Sequence, residues 1–303
     1  MKRIPAYIAI LSIMLIFSCS SSPAVQEQMQ EQTEEQGGTS VWKAMRNGKT
    51  MYLGGSIHVL REDDFPLPQE YDLAFEQSEI LVLETDIRLA ESEKFLQYII
   101  RQMFIDKGQT IKDLLEADTY RLLTAALNRY GIPISAVSVI KPSMVMLMLS
   151  TMQLQEYGFT ENGIDKYYLE MAETKNMQIN FLETPEYQFD MLLSLGDDDE
   201  NAYIKYFLYD MEYTENYLIE LVDEWRTGGS EILELTLYEM EREWPFIYKS
   251  LCKDRNGAWL PQLEIILDSG ATSFVITGLA HMHGPDGLLK QLKDRGCTIQ
   301  KFR

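Results

Sequence analysis

The chain is poor in the residues that most often carry metal, redox and proton chemistry. Of its 303 residues only three are histidine and three are cysteine. With no Cys-x-x-Cys pair, a cysteine-built zinc or thiol-redox motif is excluded. Cys252 and Cys297 read as small buried hydrophobes, although an exported chain permits a bridge between them. Basic residues are also scarce. Lys and Arg number 27 against 47 Asp and Glu, a net charge of −20, which leaves no basic surface for a phosphate backbone and excludes nucleic acid as a partner. No apolar run reaches the roughly 18 residues of a membrane-spanning helix.

What is present begins with the three histidines themselves. They fall in two copies of one pattern: Gly54-Gly55-Ser56-Ile57-His58 after Met51-Tyr52-Leu53, and Gly278-Leu279-Ala280-His281 after Phe274-Val275-Ile276, with His283 two positions on. A Gly-x-x-His at the exit of a strand-like run sets an imidazole on a tight turn where the glycine lets another group approach the backbone. Imidazole is the side chain suited both to proton transfer near neutrality and to metal binding.

Residues 1–18 read as a leader. Lys2 and Arg3 form a positive start, and Ile4 to Phe17 an apolar stretch too short for a span. Ile16-Phe17-Ser18-Cys19 resembles a bacterial lipoprotein cleavage box, so Cys19 is the expected acylated N-terminus of the mature chain. Residues 19–39 are mostly Ser, Gln and Glu and read as a disordered tether. The expected location is therefore the cell envelope, lipid-anchored to a bacterial membrane on its exported side. Residues 40–303 remain for one domain, large enough to carry an insertion.

Four apolar runs end in ionisable residues: Met51–Gly54 before His58, Ile80–Leu83 before Glu84, Ile179–Leu182 before Glu183, and Ser273–Thr277 before Gly278 and His281. Short runs punctuated in this way predict buried strands. Helical spacing is expected over Ala90–Lys107, Thr119–Tyr130, the Met-rich run after Pro142, Ile164–Lys175, Glu200–Trp225, Glu231–Arg242 and Asn256–Leu267, the last with Asn256 as its N-cap. Strands at both ends with helices between predict an α/β domain: a central sheet with strand-end Gly-x-x-His motifs and a large helical insertion over about 87–250.

In open α/β sheets ligands gather at the carboxyl ends of strands. His58, Glu84 and His281 there suit a divalent metal ion (manganese, cobalt or zinc), with open positions for water and substrate. Glu183 is then a candidate general base, as is Glu84 if it is not a ligand, and Arg255 a clamp for negative charge or for Glu84 itself. Asp165 reads as a helix-start residue and His283 as a surface residue.

Taken in order, Gly54 to Leu60, Leu83-Glu84, Gly163-Ile164-Asp165, Leu182-Glu183-Thr184 with Gln188, Arg255-Asn256, and Gly278 to His281 followed by Gly284 and Gly287-Leu288-Leu289 resemble the TraB/GumN family. The resemblance runs from about Val41 to Phe302. It implies kinship with the Tiki proteins, described as metal-dependent proteases, with bacterial members implicated in peptide-pheromone control or polysaccharide clusters, and more widely with erythromycin esterases and a haem-binding ChaN-like fold. It carries the two motif histidines onto His58 and His281, the acidic residue onto Glu84 and the arginine onto Arg255. His283 departs from the pattern, since an apolar residue is commoner there, and the spacing from Gly278 favours His281 as the residue facing the site. The expected function is a membrane-tethered, metal-dependent hydrolase, a peptidase acting on exported peptides or proteins. Two alternatives stay open: a non-catalytic lipoprotein binding a peptide, metal or haem, and a metal-independent esterase with a histidine base.

Overall fold

The computed structural model describes residues 38–90 and 92–303. The leader, the acylation site at Cys19 and nearly all of the tether fall outside these residues. Among them, no helix is long and apolar enough to cross a membrane. The chain forms two compact units, one built on a sheet from residues 38–85, 160–182 and 216–303, the other helical from 86–159 and 183–215.

The sheet has six strands: β1 (Val41–Arg46), β2 (Lys49–Ser56), β3 (Ile80–Leu83), β4 (Gln178–Phe181), β5 (Ser273–Gly278) and β6 (Thr298–Lys301). Their spatial order is β4-β3-β5-β2-β1-β6. The four strands expected from the sequence are the contiguous parallel set β4-β3-β5-β2. β3 and β5 are buried along their whole length, as expected of parallel strands covered on both faces.

The two remaining strands were not foreseen, and one had a visible signal. Asn47-Gly48 joins β1 to β2, and both residues have positive φ, 52° and 76°. That pair of left-handed residues is what a two-residue hairpin of type I′ requires, and Asn-Gly is its commonest sequence. β6 then pairs antiparallel on β1 and closes that side of the sheet.

Several helix expectations need correction. Within about 87–250, residues 160–182 belong to the sheet unit and supply β4, the strand expected at Ile179–Leu182. Ala90–Lys107 is two helices, Ile87–Ala90 and Glu93–Gln102, since Ser92 caps the second by accepting from the Phe95 N–H. Glu200–Trp225 is likewise two, Glu200–Asp210 and Thr214–Thr227. Asn256 is no N-cap. Helical turns run on upstream through Pro245–Tyr248 and a π turn at Lys249–Lys253, so Asn256 sits inside the helical run and its side chain is released for other work. Within the helical unit the Met-rich run forms Pro142–Glu156, buried on most of its surface. Cys252 and Cys297 are buried and free.

Candidate active site

The register of the sheet brings the two Gly-x-x-His motifs side by side. Ser56 of β2 pairs with Gly278 of β5, and β5 pairs on its other edge with β3, so three adjacent parallel strands deliver His58, His281 and Glu84 from their carboxyl ends. The glycines interlock. A Cβ on Gly55 would collide with the side chain of Leu279 in the other motif, and one on Gly278 would stand 3.0 Å from His58 Nε2 and 3.4 Å from Glu84 Oε1. The bare Gly278 backbone keeps the space between imidazole and carboxylate unblocked.

Glu84 is buried and held as an anion. Its Oε2 accepts from Arg255 Nη2 at 2.6 Å and its Oε1 from the Gly278 N–H at 2.6 Å. Burial alone would raise its pKa. The Arg255 charge, the two histidines and the Gly278 N–H outweigh burial and bring it to about 2. A carboxylate held so firmly as an anion is a weak proton acceptor.

His281 is neutral. Burial and the neighbouring Arg255 depress its pKa to about 3. Its Nδ1 lies 2.7 Å from Asn256 Oδ1, while Asn256 Nδ2 donates to the carbonyls of His281 (3.2 Å) and Asp286 (2.8 Å). Those two acceptors fix the amide with its oxygen toward the ring, so the ring proton is on Nδ1 and Nε2 carries the lone pair. That lone pair accepts from Arg255 Nη1 at 2.9 Å. Arg255, fully buried, also donates to the Leu251 carbonyl and lies against Trp259. Its fork orients Glu84 and His281.

His58 differs from every other member of the cluster. Its Nδ1 is 2.7 Å from Asp165 Oδ2, whereas its buried Nε2 has no hydrogen-bond partner and lies 3.7 Å from Glu84 Oε1. Burial opposes the charged ring, but the charge and hydrogen bond of Asp165, with Glu84, outweigh it and raise the pKa above its ordinary value. Asp165 stands in the first turn of the helix Ile164–Thr174, where the helix dipole favours a carboxylate. It was undervalued as a helix-start residue; the signal for it lay in the Gly163-Ile164-Asp165 element of the family resemblance. Gly163 explains itself here. A Cβ on it would overlap the His58 carbonyl, so Gly163→Ala is expected to cost about 1–3 kcal/mol in denaturant unfolding. An unchanged midpoint would show that the His58 backbone yields freely.

Two further residues have partners of their own. Glu183 belongs to the helical unit, just before the N-cap Thr184 of Pro185–Leu193, and accepts from Gln188 Nε2 at 2.9 Å. His283 is half-buried rather than a surface residue, edge-on to Trp42 and 3.3 Å from Glu234 Oε1. Asn256 was missed because a cap reading absorbed it.

As a cradle for a divalent ion the cluster offers two ready donors, His58 Nε2 and Glu84 Oε1. His281 Nε2, 3.8 Å from the same Oε1, is taken by Arg255. Among the described residues no group of three or more His, Cys, Asp or Glu is arranged to hold a metal. As placed, the residues do not fit the three-ligand set that a protein-held catalytic ion requires.

The chain is 23% identical over 243 residues to the protein YbaP of Escherichia coli (strain K12), covering 80% of this chain and 87% of that one, and matches its Shigella flexneri counterpart equally. No solved structure matches it. The TraB/PrgY/gumN family model matches residues 40–301, a span that contains every side chain of the cluster, and the chain belongs to that family.

Proposed function

We propose that the cluster is a hydrolytic site in which His58 is the general base, oriented by Asp165, acting on an acyl bond of an exported peptide or ester. The observation that carries this is the asymmetry of the His58 ring: Nδ1 is held by a buried carboxylate, and the buried Nε2 is unpaired and faces Glu84. With Asp165 accepting the Nδ1 proton, the Nε2 lone pair takes a proton from water as the water oxygen attacks the acyl carbon, then returns it to the leaving group. The same Asp165 and Glu84 charges that raise the His58 pKa stabilise the ring once it has taken up the proton. Glu84, kept anionic by Arg255, favours the imidazolium formed in that step. Residues 1–19 support placing this activity at a bacterial envelope, tethered through Cys19.

A divalent ion is the second reading. It is favoured by the two Nε2 atoms standing 3.7 and 3.8 Å from one Glu84 oxygen, and it requires Arg255 to leave His281. Metal analysis of the purified chain, run beside hydrolysis of a peptide and ester library with and without chelator, decides between them. Hydrolysis that survives chelation and disappears in His58→Ala is the expected result. Stoichiometric metal lost together with activity in His58→Ala would install the metal reading. Tight binding of peptide, metal or haem with no turnover would mark a binding lipoprotein.

A further inference from the structure

The sheet unit also carries a surface cleft lined by none of the side chains of the His58 cluster. On one side stands the turn Glu62–Asp64, with Glu62 and the following Phe65 in the lining. On the other is the helix Ile164–Thr174, which presents Lys166, Tyr167 and Glu170 on one face, while its Ile164, Asp165, Tyr168 and Leu169 are buried. Thr160 and Asn162 complete the lining. Both sides are firmly held. Arg226 donates to the Asp64 and Pro66 carbonyls and pins the turn. The Thr160 N–H and hydroxyl donate to the Leu60 carbonyl, and the Ile164 N–H donates to the Ile57 carbonyl. The segment that lines the cleft therefore runs beside the one that carries His58, and Lys166 directly follows Asp165, the partner of His58 Nδ1.

The lining is aromatic and acidic. Phe65 and Tyr167 lie with ring centroids 5.8 Å apart, and Glu62 and Glu170 are exposed. The one cation in the lining is already engaged, since Lys166 Nζ meets Glu161 Oε1 at 2.9 Å. The acidic excess survives a wider count. Residues 61–67 and 160–175, with Arg226 added, hold seven acidic residues against four basic. At about 380 Å³ the cleft accommodates one long side chain with its flanking peptide groups. Rings beside carboxylates suit an extended cation, which lies against the rings while the carboxylates take its N–H groups. We infer that this cleft binds the basic side chain of a peptide. Arginine is preferred to lysine, because a planar guanidinium both stacks on rings and forks onto carboxylates. Peptides with a basic residue are then the substrate class of the His58 site. That last step rests on the hydrolytic reading, whereas binding in the cleft does not.

The test titrates the full chain with acetylated, amidated Ala-Arg-Ala and follows backbone amide signals by NMR. Matching peptides carry norleucine or glutamate in place of arginine. Saturable shifts are expected at residues 62–65 and 160–170 with the arginine peptide, and binding of the other two should be weaker by about tenfold or more. Glu62→Gln with Glu170→Gln, both at exposed positions, should weaken the arginine peptide by about tenfold, and added salt should weaken it as well. Equal binding of the norleucine peptide, no change in the double variant, or no saturable shift at these residues would each overturn the inference. His58→Ala, titrated in parallel, should bind the arginine peptide as the native chain does; binding lost there would put the peptide on the cluster instead of in the cleft. An arginine peptide seated in the cleft but never cut by the native chain would end the hydrolytic reading and leave the cleft assignment standing.

Discussion

Arg255→Met is expected to remove about 3–5 kcal/mol of stability, because it strands the Glu84 carboxylate in a buried site without its counter-ion. The guanidinium is wholly buried, and it meets Glu84 Oε2 at 2.6 Å and His281 Nε2 at 2.9 Å. Methionine fills much of the volume and supplies neither donor. Adding Glu84→Gln should recover a good part of the loss, since the uncompensated charge is then gone. The pH dependence has a defined sign. Glu84 ordinarily titrates at 4.5 and in the folded protein at about 2, so its ion pair stabilises the fold fully above 4.5 and progressively less as pH falls toward 2. The stability gap between the native chain and Arg255→Met should therefore narrow below pH 4.5. Denaturant titrations across pH measure it, and equal midpoints at neutral pH would mean that Glu84 finds another partner or water.

The second large effect is on turnover. Asp165→Asn is expected to lower kcat by about 10²–10⁴-fold while the fold persists. The amide keeps the shape of the carboxylate but carries no charge. Its NH₂ can donate to His58 Nδ1, which would move the ring proton onto Nε2 and close the lone pair that the base needs. Since Asp165 acts through His58, the double variant with His58→Ala should be no slower than His58→Ala alone. Losses that multiply would show that Asp165 has a separate role, and the proposed pair would fail.

The sequence exposed the outline of this site because a strand end is a local pattern. The run Ile80–Leu83 stopping at Glu84, and the two Gly-x-x-His turns, are each legible within a few residues, and the sheet then aligns them. What stayed hidden depends on partners far along the chain. Asp165 meets His58 across 107 positions, and Asn256 meets His281 across 25, so each showed only its local propensity for a helix start or cap. Arg255 was readable as a clamp for Glu84, but not as the group that also occupies His281 Nε2, and that contact is what alters the metal reading. The Asn47-Gly48 turn is a different case, since its signal was local and simply went unread.

The position of β5 has a consequence for when the site can exist. It is the central strand, bonded to β2 on one side and β3 on the other, yet it is the fifth of six to leave the ribosome. Until Ser273–Gly278 inserts, β2 and β3 have no common neighbour, Glu84 lacks the Gly278 N–H, and Arg255 has no His281 to hold. A nascent chain therefore carries His58 without the rest of the cluster. Whatever chemistry the cluster performs, its parts come together only when β5 inserts, so the site is assembled by folding itself.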